Sequence, residues 1–208
     1  GPMRDYRFVR NMLFRHTAIE SDVWLQSADL SGSISQESDK LLDDFPSTKE
    51  ELFAYDAIIA FDPDWRLLND EQVQLLFEWV ELQAGGLILV AGDVFLPEIA
   101  GSADTIPRLK EILKLYPVVP DSFTVDNTEN PVTQPWPWEF TRAGREAGFL
   151  QITDDAIGSA EVWREFTGVY SAYPTLGEKA ASTVFAYFSD PRALAGNTKP
   201  VLLASQFY

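Results

Sequence analysis

Apolar positions at helical spacing open the chain. Over 4–15 (RDYRFVRNMLFR), Tyr6, Val9, Met12 and Leu13 recur at steps of three and four with arginines between them, which predicts an amphipathic helix. Residues 22–27 (DVWLQS) read as a strand, and 28–46 as a polar loop rich in Ser and Asp that closes at Pro46. Ser47 with Glu50, or Thr48 with Glu51, forms a capping box for a short helix reaching Phe53. The run 55–61 (YDAIIAF) has the look of a strand buried on both faces, and Asp62-Pro63-Asp64 breaks it. Asn69 caps a long helix over 70–84, with Val73, Leu76, Trp79 and Val80 as its apolar stripe. Gly85-Gly86 ends that helix, 87–91 (LILVA) follows as another buried strand, and Gly92 turns the chain.

Strand, helix, strand, helix, strand from 22 to 91 implies a parallel sheet with right-handed crossovers. A further helix fits 105–115, with Pro107 in its first turn. Prolines 117, 120, 131, 135 and 137 then mark a long irregular excursion over 117–147, with one strand near 138–142. Ser159 is placed to cap a helix over 160–166. Residues 183–188 (TVFAYF) and 200–207 (PVLLASQF) read as late strands, with antiparallel pairing open to them. The expectation is one α/β domain over 4–208, with Gly1-Pro2-Met3 reading as an expression scar.

Composition narrows the chemistry. The 208 residues carry a net charge of −16, which disfavours a nucleic-acid partner. Arg4, Arg7, Arg10 and Arg15 against Asp5 make 4–15 net +3, leaving −19 on the remainder. That basic helix reads either as a solvated face or as a docking surface for an acidic partner. There is no cysteine, so disulfides, thiolate metal sites and thiol nucleophiles are excluded. No apolar run approaches the ~20 residues of a membrane span, so this segment is not expected to insert directly.

Residues 55–92 (YDAIIAFDPDWRLLNDEQVQLLFEWVELQAGGLILVAG) resemble the strand–loop–helix–Gly-Gly–strand–turn segment of class I glutamine amidotransferase-like domains. RDYRFVRNMLFR, DVWLQSADL and KPVLLASQFY extend the resemblance to a group of large bacterial membrane-anchored proteins with von Willebrand factor A-like regions. The resemblance implies a three-layer α/β/α, flavodoxin-like, mostly parallel sheet, in an extracytoplasmic (periplasmic) domain. It implies as partners the other domains of the same protein, or a protein partner. It also implies truncation at both ends, with a first strand before the RDYRF helix missing. A late strand, a neighbouring chain or a tag-derived segment is then expected to compensate.

In active amidotransferases the turn after the equivalent strand holds the nucleophilic cysteine, beside a histidine base and an oxyanion hole. Here that turn reads Val90-Ala91-Gly92-Asp93, so Ala91 or Gly92 stands where the nucleophile would be. The one histidine, His16, lies early in the chain, whereas the family's catalytic histidine comes late. The expectation is a non-catalytic interaction or ligand-sensing module without cofactor.

Asp62, Asp64 and Asp93 follow predicted parallel strands, where open α/β sheets place their ligand crevice. They suggest the rival reading, a hydrolase or carbohydrate-active domain with or without Mg²⁺ or Ca²⁺. Turn formation and helix capping are the ordinary work of Asp at such places, and no metal site is assigned. Trp136-Pro137-Trp138 suggests a stacking platform for a sugar or peptide, or else rings folded onto the sheet. Phe14, Trp24, Trp65, Trp79 and Trp163 are expected in or near the core. Gly85-Gly86 precedes a strand, so it is no phosphate loop.

Overall fold

A computed structural model describes residues 4–26, 38–122, 133–193 and 198–208. The fold is mixed α/β. The chain gathers into two compact units. The first holds the described parts of 1–99, with 106–112 and Tyr208, and the second 100–105 and 113–207.

In the first unit, helix α1 (Arg4–Phe14) leads to strand β1 (Asp22–Trp24), which pairs in parallel with β2 (Lys40–Leu42). Helix α2 (Lys49–Leu52) follows, with Thr48 and Glu51 closing the expected capping box. Strand β3 (Ala57–Phe61) and helix α3 (Asp70–Gln83) come next, then β4 (Gly86–Val90), parallel to β3 in strict register from Ala57↔Gly86 to Phe61↔Val90. Asn69 caps α3, and Gln72 returns the bond to complete a second capping box. The α3 face carrying Val73, Leu76 and Trp79 is buried, with Leu52, Trp65 and Leu68 beside it in the core.

Three expectations change here. The parallel strands do not form one sheet: among the described residues β1–β2 and β3–β4 are separate pairs. Consequently β3 is half-buried rather than buried on both faces, and Ile88 of β4 is 51% exposed. On α1, Tyr6, Val9, Arg10 and Leu13 turn inward while Met12 and Phe14 face solvent. The α3 terminus also differs in detail. Ala84, not a glycine, adopts the left-handed conformation (φ 51°), and Gly85 is required because a Cβ there would lie 2.3 Å from the Trp79 ring.

Helix α4 (Leu96–Ser102), unseen in the sequence pattern, is followed by α5 (Pro107–Lys114), which begins at its proline. In the second unit β5 (Val118–Pro120) pairs antiparallel with β7 (Thr175–Glu178). Strands β6 (Trp138–Phe140), β8 (Ser182–Phe188) and β9 (Val201–Gln206) form an antiparallel sheet in the order β6-β8-β9. The late strands are therefore antiparallel. Helices α6 (Arg142–Glu146) and α7 (Ala156–Glu165) follow β6 in the chain, before β7. Asp155, not Ser159, caps α7, and Ser159 is buried inside the helix, where its hydroxyl accepts from the Ile152 and Thr153 amides. Part of the expected proline-rich excursion, 123–132, and most of the polar loop, 27–37, lie outside the described residues.

Candidate functional site

The C-terminal ends of β3 and β4 converge on one carboxylate. Asp62 is 1% exposed and takes a positive φ of 41°, a conformation Asp tolerates better than most residues. Its amide donates to the Val90 carbonyl (2.8 Å), which extends the β3–β4 ladder by one bond. Its carboxylate accepts from the backbone amides of Val94 (3.1 Å), Phe95 (3.3 Å) and Leu96 (3.2 Å), where the chain enters α4. These donors, left over at a helix start, are the kind of amides that stabilise an oxyanion in acyl-transfer enzymes. Here the anion they hold belongs to the protein itself.

Gly92 completes this arrangement. A Cβ at residue 92 would lie 2.5 Å from the Asp62 Cβ and 2.7 Å from its Oδ2. The turn therefore carries glycine because the Asp62 side chain lies against it. Ala91 is exposed beside it.

Asp64 is engaged elsewhere. Its two oxygens take Arg66 in a fork: Nε donates to Oδ1 (2.6 Å) and Nη2 to Oδ2 (2.8 Å), and the Arg66 amide also donates to Oδ1 (3.1 Å). Burial pushes the Asp64 carboxyl up, but the hydrogen bonds and charge of Arg66 outweigh it and hold the group below its usual range. Arg66 also pairs with Glu98, lies 5.8 Å from the centre of the Phe95 ring, and accepts from Arg108 Nη2 through its carbonyl (3.1 Å). Asp93 faces solvent. The structure thus sends Asp62 to backbone amides, Asp64 to a guanidinium and Asp93 to water. Among the described residues no group of three or more His, Asp or Glu side chains is placed to hold a metal ion.

Trp136 and Trp138 take different surroundings. Trp138 is half-buried, stacks on Trp163 (5.2 Å, 25°), and meets Phe140 and Phe166. Trp163 anchors this cluster by donating its Nε1–H to the Leu150 carbonyl (2.8 Å). Trp136 bridges to Val169 through its backbone, and the Arg192 guanidinium sits 5.9 Å from its ring centre. Asp190, 3% exposed, fixes that guanidinium through paired contacts of 3.0 and 2.7 Å.

A second feature of the first unit escaped sequence reasoning. A groove of about 540 Å³ opens between β1 and β3, with α1 contributing Tyr6, Arg7 and Arg10 to its wall. It is tethered at both ends. Tyr55 Oη donates to Asp22 Oδ2 (2.6 Å) at the start of the two strands. Beyond their ends the Gln26 side chain takes both backbone groups of Asp64, accepting from its N–H (2.8 Å) and donating to its C=O (3.2 Å). These partners are 33 and 38 residues apart, beyond any local pattern. Burial, and then the bond to the Asp22 carboxylate, raise the Tyr55 phenol to about 12.

No family model matches this chain, and no curated protein or solved structure matches it.

Proposed function

We propose that the chain is a non-catalytic, amidotransferase-like module, built on a flavodoxin-like plan, that serves interaction or ligand sensing. In this reading it sits in the extracytoplasmic part of a membrane-anchored bacterial protein, beside other domains of that protein. One observation supports it above the others. The free amides at the start of α4, those of Val94, Phe95 and Leu96, are taken by Asp62, and residue 92 has no side chain to attack a carbonyl. The separate engagements of Asp62, Asp64 and Asp93 give the carboxylate-hydrolase reading no paired acid and base.

The test is direct. Incubated with glutamine, the protein releases no ammonia above the uncatalysed rate. Release that disappears in Asp62→Asn or Asp93→Asn overturns the reading.

A further inference from the structure

Helix α1 presents two different faces. Tyr6, Val9, Arg10 and Leu13 are half-buried on its inner side. Arg4, Phe8, Met12 and Arg15, the last just past its end, follow one another at steps of four, four and three, so they share the outer side. Phe8 is 68% exposed and Met12 63%. Apolar side chains are common singly on a surface, but these two are neighbours on one helix face and are bracketed by cations. Arg4 and Arg15 have no ion-pair partner among the described residues.

Helix α7 carries the converse. Ile157, Glu161 and Glu165 recur at every fourth residue on the side away from the buried Ser159, and Asp154 stands just ahead of the Asp155 cap. All four are exposed, Ile157 at 77%. Glu161 meets Arg164 (3.6 Å), whereas Asp154 and Glu165 have no ion-pair partner among the described residues. Residues 154–165 carry a net −3, where the equally long stretch 4–15 carries +3. The outer charges also match in spacing. Arg4 and Arg15 lie as far apart along the chain as Asp154 and Glu165, three helical turns or about 16 Å.

We propose that α1 of one copy of this chain docks on α7 of a second copy. The two helices lie antiparallel, with Arg4 beside Glu165, Arg15 beside Asp154, and Ile157 packed on Met12. Charge complementarity selects the occupant. Helix α1 against a second α1 sets arginine on arginine, and α7 against α7 sets carboxylate on carboxylate, so the two faces fit each other and not themselves. Antiparallel alignment also pairs the helix dipoles favourably. The net charge of −16 repels two copies at long range, but at 0.1 M salt that repulsion is screened beyond about 10 Å, while charges in contact still attract. Two helices of about three turns bury less than the ~1,200 Å² of a standard interface, so the association is weak and reversible. Neither helix includes Gly92 or the amides held by Asp62, so this contact stands apart from the catalytic reading.

Sedimentation equilibrium of the whole chain at 0.1 M NaCl tests this. The average mass is expected to rise above that of the monomer between about 10 µM and 1 mM. Reversing one face, by Arg4→Glu with Arg15→Glu or by Asp154→Lys with Glu165→Lys, is expected to weaken association about tenfold or more. The second pair separates this contact from the global field. It makes the chain less negative, so relief of general repulsion alone would strengthen association instead. All four positions are exposed, and recovery guards against a folding defect. The two double variants mixed in equal amounts associate, as does the chain carrying all four substitutions. A parent that stays monomeric at 1 mM overturns the proposal and leaves α1 to an acidic partner of another kind. Association that either reversal leaves intact, or that no combination restores, overturns the pairing of α1 with α7.

Discussion

Asp62 combines a costly backbone conformation with three compensating hydrogen bonds. Removing the acceptor leaves the buried Leu96 amide unsatisfied, at about 1–3 kcal/mol for such a loss. Asp62→Ala is therefore expected to lose about 2–4 kcal/mol in urea unfolding, since alanine also tolerates the positive φ less well. Asp62→Asn keeps an acceptor oxygen and the local conformation, and should retain most of the stability. An alanine variant as stable as the parent contradicts this account. Two other carboxylates set the acid limit. Arg192 holds Asp190, and Arg66 holds Asp64 against the pull of burial, below the ordinary carboxylate range. A depressed folded value contributes stability above the unfolded value of about 4, and that contribution disappears as pH falls through the folded value. Stability measured between pH 5 and 2 should thus fall steeply, and less steeply in Asp190→Asn.

At the scale of elements, local signals were read well and long-range ones were not. The capping residues Thr48 and Asn69, the apolar stripe of α3 and the proline opening α5 all act within a few residues, so each was visible as a pattern. Helix α4 was missed because the atoms that satisfy its first amides belong to Asp62, more than thirty residues upstream. The short strands β5 and β7 were missed because they depend on pairing across the chain. Likewise the aspartates after β3 were legible as a strand-end cluster, but whether they converge depended on Arg66 and on the α4 amides. The tether Tyr55–Asp22 gives a prediction at this scale. A raised phenol contributes stability that is present below the unfolded value of about 10 and lost as pH rises through the folded value near 12. Tyr55→Phe should cost about 1 kcal/mol at neutral pH and remove that alkaline dependence. Tyr6 and Tyr187 are also raised by burial, so spectrophotometric titration should show one fewer late-ionising tyrosine in the variant than in the parent.

For the whole molecule, charge is the dominant global property. A net charge of −16, with the one basic stretch confined to α1, places most of the surface under self-repulsion. Salt screens such repulsion over a Debye length of about 10 Å at 0.1 M. The urea midpoint is therefore expected to rise between 20 and 500 mM NaCl. A midpoint that falls would mean that ion pairs such as Lys49–Glu78 and Lys199–Glu139 outweigh the global field.

The contact between Gly92 and Asp62 also constrains the order in which sequence changes can be accepted. A side chain placed at 92 alone meets the Asp62 carboxylate at less than 3 Å, and removal of Asp62 alone leaves three backbone amides without their acceptor. Each single step is unfavourable, and only the pair together relieves the contact and the lost acceptor at once. The two positions thus act as a ratchet: neither is free to change alone, and a substitution accepted at one sets what the other can carry.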